Sequence, residues 1–62
     1  MKLDLSMNPN ILVSIVNMKL RNDFSDIDDL CSFYDIDRKN LEDIMSKEDY
    51  FYCEDKKQFL IK

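Results

Sequence analysis

The side chains that could carry out chemistry are few, and their types exclude most kinds of active site. The chain contains no His and no Gly. Without His, neither Ser nor Cys has the usual base that activates it as a nucleophile, and without Gly no Gly-rich loop can wrap a phosphate. We therefore predict no enzymatic activity, no cofactor and no small-molecule substrate.

The two cysteines, Cys31 and Cys53, also fall short of a metal site, because two thiols without a CxxC pair or a His cannot complete a zinc centre. Cys31 belongs to the predicted inner stripe of a helix, so we expect an inert core thiol. Cys53 lies in a predicted strand and is expected to be the more reactive thiol. A disulfide between them is geometrically possible, but reduced thiols are expected in the cytoplasm.

Carboxylates are abundant, and one short segment holds four of them: Asp23, Asp26, Asp28 and Asp29. A calcium-binding EF-hand loop needs a Gly at its sixth position and a bidentate Glu at its twelfth. Because the chain has no Gly, we interpret this segment as helix capping and a source of solubility rather than as a cation site.

The composition limits the size of the protein and the class of its partners. Its 62 residues allow one small domain, residues 1–62, and the net charge of −4 disfavours binding to phosphates. A chain this short buries only about 60% of the surface of its unfolded form, so a partner or a crosslink would reinforce its core. The N-terminus lacks signal-peptide features, and no apolar run approaches the ~20 residues that span a membrane. We expect a cytoplasmic protein without membrane contact.

The pattern of apolar residues predicts an α+β fold, with three short helices in a helix-turn-helix-like arrangement followed by a C-terminal β-hairpin. Residues 1–7 alternate weakly and are predicted as an extended lead-in. The helices are expected within residues 9–47 and the hairpin within residues 50–61. Because Gly is absent, Asp, Asn and Lys must make the turns.

The first helix is predicted from Pro9 to Asn22, since Asn8 is a good N-cap and Pro fits the first helical position. On a helical wheel its apolar residues cover more than half of the circumference, which exceeds the usual stripe of a surface helix. Either this helix is central and covered by the others, or part of it is a dimer surface. Lys19 falls inside the apolar arc, and we expect its ammonium to reach a carboxylate of the second helix.

Two shorter helices are predicted next. The second spans Asp26–Tyr34, with Ser25 as its N-cap and Asp28 completing a weak capping box. The third spans Arg38–Lys47 and is capped by Asp37. The tight turn between them gives this part of the chain its helix-turn-helix outline.

The hairpin is predicted from two aromatic or apolar runs, Tyr50–Cys53 and Gln58–Ile61, with a polar turn at residues 55–57. Alternate residues of a strand point to opposite faces. The outer face therefore carries either the two tyrosines of the first strand or Phe51 and Cys53.

A family resemblance rests on one string in the first helix and on later positions: Val16–Asn17–Met18–Lys19–Leu20–Arg21, Leu30–Cys31, Tyr50, Tyr52 and Gln58–Phe59. With these residues the chain resembles, from Pro9 to Phe59, a small bacterial family known as domain of unknown function 4250. The family usually carries Gly before the first Tyr of the hairpin, where this chain has Asp49. The resemblance implies a cytoplasmic bacterial protein and supplies neither an activity nor an assigned site.

An excess of apolar surface on so short a chain favours a non-enzymatic protein-interaction module, self-associating as a homodimer or binding another protein. The first helix and the outer face of the hairpin would form the contact surface. Asn17 and Arg21 are interpreted either as structural hydrogen-bonding residues or as partner contacts, since Arg binds carboxylates well. The candidate partner contacts are Val13, Asn17, Met18, Arg21 and Phe51.

The alternative is a winged-helix-like DNA-binding protein or a subunit of a transcription regulator. Its candidate contacts combine the start of the third helix with the hairpin tip as a wing: Arg38, Lys39, Asn40, Lys56 and Lys57. This hypothesis requires its cations to form one basic face. Against it, the third helix carries opposite charges four residues apart, which favours internal pairing: Arg38 with Glu42, Lys39 with Asp43, and Asp43 with Lys47.

Overall fold

A computed structural model describes residues 3–62 and shows three helices followed by a two-stranded antiparallel sheet. The elements are α1 (Pro9–Asn22), α2 (Ile27–Tyr34), α3 (Arg38–Ser46), β1 (Tyr50–Cys53) and β2 (Gln58–Ile61). The predicted α+β fold, three helices and then a C-terminal hairpin, is confirmed.

The segment before α1 differs from the predicted extended lead-in. Residues 1–2 of that prediction lie outside the described residues. Residues 4–7 form a turn, in which the Met7 amide donates to the Asp4 carbonyl at 3.3 Å and the Ser6 amide donates to the Asp4 carboxylate at 2.9 Å. An Asp that bonds the backbone two residues on is a standard turn former, so local hydrogen bonding prevails over the weak apolar alternation. Leu3, which precedes this turn, is buried in the core.

Side-chain caps explain where the helices begin. The Asn8 side chain accepts from the Asn10 amide at 2.8 Å, and Pro9 occupies the first position of α1, as predicted. The N-cap of α2 is Asp26, which accepts from the Asp29 amide at 2.9 Å, so the prediction of Ser25 with a capping box was wrong. Asp caps a helix as well as Ser does. Ser25 instead donates a hydrogen bond to the Asp29 carboxylate.

The core lies where α1 meets the other elements, and its members come from the segment before α1, from every helix and from β2: Leu3, Leu12, Val13, Val16, Leu20, Ile27, Leu30, Cys31, Leu41, Met45 and Phe59. The first helix packs against α2, α3 and β2, and it contributes more buried core residues than any other element. Lys19 is buried, and its ammonium lies 5.8 Å from the centre of the Tyr34 ring. Among residues 3–62 it forms no salt bridge, so the predicted carboxylate partner was wrong.

The register of the hairpin decides which residues face outward. Tyr52 lies opposite Phe59, and their rings meet edge to face with centres 5.4 Å apart on the core side. Phe51 lies opposite Leu60 on the other face and is exposed. The outer face is therefore that of Phe51 and Cys53, and the tyrosines pack inward.

Three residues adopt left-handed backbone conformations: Asp35 (φ 57°), Asp49 (φ 65°) and Lys57 (φ 54°). Gly takes this conformation without steric cost, whereas other residues lose roughly 1–2 kcal/mol. Asp49 occupies the position before the first hairpin Tyr. Because Gly adopts a left-handed backbone most readily, this conformation explains why related chains can carry Gly at the same position.

Replacing Lys57 with Gly should stabilise the protein by about 1 kcal/mol, because Gly removes the clash of the left-handed Cβ. The Lys57 amide would still donate to the Cys53 carbonyl at 2.7 Å and close the turn. Thermal unfolding followed by circular dichroism should show a melting temperature higher by about 4–8 °C. Lys56→Gly is the matched control. Lys56 has negative φ, so Gly there should lower the stability by roughly 0.5–1 kcal/mol.

Candidate interaction surface

Arg38, at the start of α3, is the centre of an ion-pair network inside the molecule. Its guanidinium bonds to Asp28 at 3.1 Å, to Glu42 at 3.2 Å and to Glu54 at 2.6 Å, and it lies 5.3 Å from the centre of the Tyr52 ring. The hydrogen bond to Glu54, followed by those to Glu42 and Asp28, raises the pKa of Arg38 above its ordinary value against the opposing effect of burial. Arg38 was predicted to contact nucleic acid, but its guanidinium instead joins α2, α3 and the hairpin loop.

The other residues of the DNA-binding hypothesis, Lys39, Asn40, Lys56 and Lys57, are exposed. The bond between Arg38 and Glu54 places the start of α3 beside the hairpin loop. Acids are interleaved with the cations in this region, and the two sets carry equal charge: Arg38, Lys39, Lys56 and Lys57 against Asp28, Glu42, Glu54 and Asp55. These eight residues together carry no net charge, so their composition gives no support to a basic face.

Of the three charge pairs predicted along α3, one is present. Arg38 pairs with Glu42 across one helical turn. Lys39 and Lys47 form no salt bridge with Asp43 within residues 3–62. Exposed pairs of this kind contribute little stability, so long side chains often stay solvated.

Asn17 uses its side-chain amide to bind the free edge of β2. The Asn17 Nδ2 donates to the Phe59 carbonyl at 3.0 Å, and the Phe59 amide donates to Asn17 Oδ1 at 2.8 Å. The Gln58 side chain donates to the Asn17 carbonyl at 3.1 Å. These bonds satisfy the edge backbone as a third strand would. Asn17, a predicted partner contact, therefore makes internal hydrogen bonds.

The remaining predicted partner contacts divide by burial. Val13 is only 5% exposed and belongs to the core, so its assignment as a partner contact was wrong. It lies on the side of α1 that packs on the rest of the domain, together with Leu12 and Val16. Met18, Arg21 and Phe51 are exposed, and the structure places them where a partner can reach them.

A stripe of apolar side chains remains uncovered on α1, formed by Ile11, Ile15 and Met18, and we call it the α1 stripe. Ile11 is 55% exposed and Met18 is 45% exposed, while Ile15 between them is half-buried. Residues spaced four and then three apart lie on one face of a helix. The stripe is therefore one strip along α1, exposed at Ile11 and Met18, with Ile15 between them packed partly against the edge of the core.

An aromatic cluster is connected to α1 through Lys19. Phe24, Phe33 and Tyr34 meet at ring-centre distances of 5.0–5.9 Å, and Phe33 is 68% exposed. Lys19, which contacts the Tyr34 ring, follows Ile15 by one helical turn and so links the cluster to the stripe. Phe33 was not among the predicted partner contacts. Its exposure could have been predicted, because Phe33 is not one of the inward-facing residues of α2, which are Ile27, Leu30, Cys31 and Tyr34.

The electrostatics of α1 differ from those of the rest of the chain. Residues 9–22 contain Lys19 and Arg21 and no acid, although the whole chain carries 13 acidic residues. Arg21 is exposed at the C-terminal end of the stripe and forms no salt bridge within the part of the chain that the structure describes. Glu48, at the N-terminal end of α1, is held by a 3.2 Å hydrogen bond from the Asn10 side chain.

Other kinds of site find no support in residues 3–62. No group of three or more His, Cys, Asp or Glu side chains there is placed to hold a metal ion. Burial raises the pKa of the Cys31 thiol, and neither cysteine forms a disulfide. No helix in this range is both long enough and apolar enough to cross a bilayer.

Tyr52→Phe should raise the free energy of unfolding by about 0.5–1 kcal/mol, because the buried Tyr52 hydroxyl has no hydrogen-bond partner within residues 3–62. The Ile27 backbone lies close enough to favour the phenolate slightly, but outside hydrogen-bond geometry. Urea unfolding measures the change. In the control Tyr50→Phe, loss of the 2.9 Å bond from the Tyr50 hydroxyl to Asn10 should lower stability by roughly 0.5–1 kcal/mol. Equal losses in both variants would contradict the prediction.

The stability of Tyr52→Phe should also respond differently from that of the wild type when the pH is raised. Burial raises the pKa of Tyr52 above its ordinary value of 10.0, so above that pH the unfolded chain releases a proton that the folded chain retains. The wild type therefore loses stability as the pH rises from 10.0 toward the raised pKa. Tyr52→Phe should lose less stability over this range than Tyr50→Phe does.

Comparison with known protein families identifies a match over most of the chain. The model of the family described as domain of unknown function (DUF4250) matches residues 6–59, which is most of the chain and includes the Pro9–Phe59 region of the predicted resemblance. Neither the curated proteins nor the solved structures contain a match.

Proposed function

The chain belongs to the DUF4250 family, and from that premise we propose that it is a non-enzymatic protein-interaction module that self-associates through α1. The observation that carries this proposal is the α1 stripe. The helix that contributes the most residues to the core also keeps Ile11 and Met18 about half exposed. On a 62-residue domain with little apolar surface to spare, such a strip is typical of a contact surface.

The surroundings of the stripe fit a protein partner. The aromatic cluster connected to α1 through Lys19 presents Phe33, and aromatic side chains are enriched at protein interfaces. The mixture of Ile, Met and Phe with polar residues at the edges is the usual composition of such an interface. Phe51 on the outer face of the hairpin, 40% exposed, is a second and smaller candidate contact.

Sedimentation of the reduced protein over a concentration series tests the proposal. We expect the mass to rise from 7.5 kDa toward twice that value between micromolar and millimolar concentration. A mass that stays at 7.5 kDa throughout would contradict self-association.

A location in the bacterial cytoplasm is part of the proposal. The family resemblance implies it, and the two free cysteines are compatible with a reducing compartment. The DNA-binding alternative is ranked second, because Arg38, its leading candidate contact, bonds to three carboxylates of the same chain.

A further inference from the structure

We propose that the partner of the α1 stripe is a second copy of the same chain, with the two α1 helices antiparallel and Arg21 of each copy paired with Glu48 of the other. This inference rests on the proposed function, which already makes the partner a second copy, and adds the antiparallel register and the charge pair that sets it. It follows from the placement of one cation and one carboxylate at opposite ends of the stripe.

The first argument is the position of the two charges along the helix. Ile15 lies at the middle of the stripe, Arg21 is six residues after it and Asn10 is five residues before it. At 1.5 Å per residue these positions lie about 9 Å and about 7.5 Å from Ile15. A two-fold axis near Ile15 therefore brings Arg21 of one copy to the level of Asn10 in the other. Glu48 is bonded to that Asn10.

The second argument is the position of the two charges around the helix. At 100° per residue, Asn10 and Arg21 lie within about 20° of each other on one flank of the stripe. In an antiparallel pair related by a two-fold axis, the same flank of each helix lies on the same side of the interface. The two charges therefore approach each other across the interface rather than lying on opposite sides.

The third argument is that both groups are available and Glu48 is held in place. Arg21 and Glu48 are exposed, and neither forms a salt bridge within residues 3–62. The Asn10 amide accepts from the Tyr50 hydroxyl at 2.9 Å and donates to Glu48 at 3.2 Å, which fixes the carboxylate beside α1. Because α1 itself has no acid, Glu48 supplies the negative charge on this flank.

Charge reversal tests the register. The two-fold axis generates the pair between Arg21 and Glu48 twice in each dimer. One substitution therefore creates two like-charge contacts per dimer. Arg21→Glu and Glu48→Arg should each raise the dimer Kd about 5- to 30-fold, and the double variant should return it to within about 3-fold of wild type. Lys39→Glu is the matched control. It makes the same change in net charge as Arg21→Glu, but at an exposed position on α3, and should leave the dimer Kd near that of the wild type.

The outcomes separate this inference from the proposed function. If the wild type dimerises but the double variant is no tighter than the single variants, the register is wrong while self-association stands. If the wild type is monomeric at every concentration, both fail. Circular dichroism confirms that the variants fold, and Glu48→Gln preserves the acceptor for Asn10 while removing only the charge.

Discussion

Asn17→Ala should lower the free energy of unfolding by about 2–3 kcal/mol, a large effect for a side chain on the polar side of a helix. Asn17 makes two hydrogen bonds to the Phe59 backbone, at 2.8 and 3.0 Å, in a partly buried position. The substitution removes both and leaves an amide and a carbonyl of β2 without partners. A domain of this size has only a few kcal/mol of net stability, so the melting temperature should fall by roughly 10–20 °C.

Asn17→Asp separates the two hydrogen bonds. The carboxylate keeps an acceptor for the Phe59 amide but has no N–H for the Phe59 carbonyl, and it places a negative charge near that oxygen. We expect a loss of stability comparable to that of Asn17→Ala. Ser14→Ala is the control, because Ser14 is exposed on the same helix and makes one long 3.4 Å bond within it. Its stability should change by less than about 0.5 kcal/mol. An Asn17→Ala variant as stable as this control would contradict the assignment.

Introducing charge into the α1 stripe should have the largest effect on association. The double variant Ile11→Glu/Met18→Glu should raise the dimer Kd by at least about 100-fold, because each substitution replaces an interface side chain with a carboxylate that must be desolvated. Both positions are about half exposed in the single chain, so the fold should persist. Sedimentation equilibrium measures the Kd, and circular dichroism checks the fold.

Two control variants locate the surface. Asn40→Glu adds charge at an exposed site on α3 and should leave association unchanged. Phe51→Glu adds charge to the outer face of the hairpin. A weakening smaller than that of the stripe variant would make the hairpin a secondary contact. If the stripe variant associates as tightly as Asn40→Glu does, the surface lies elsewhere.

The sequence predicted the elements well because their signals are local. Asn8 and Pro9 specify the start of α1, and Asp37 specifies the start of α3. The end of α3 was predicted one residue too far, at Lys47, which is its C-cap. At the start of α2, Ser25 and Asp26 are both good caps, and sequence alone does not rank two adjacent candidates.

Most contacts of Asn17 and Arg38 could not be predicted, since they join residues that are far apart in the chain. Asn17 and Phe59 are 42 positions apart, and the sequence around Asn17 does not indicate which residue its side chain bonds to. For Arg38, the pair with Glu42 was predicted from its helical spacing, whereas those with Asp28 and Glu54 depend on how α2 and the hairpin pack. The wide apolar arc of α1 indicated surplus surface. Only packing shows that Val13 is covered and Met18 is not.

Association of this domain through the α1 stripe can be tested by recording backbone amide NMR spectra of isotopically labelled protein over a dilution series. We expect concentration-dependent shifts centred on Ile11, Ile15 and Met18, with smaller changes at Arg21 and Glu48. Residues such as Lys39 and Lys57, on exposed parts of α3 and the hairpin loop, should not shift. Spectra that do not change from millimolar to micromolar concentration, or shifts centred on the hairpin alone, would contradict it.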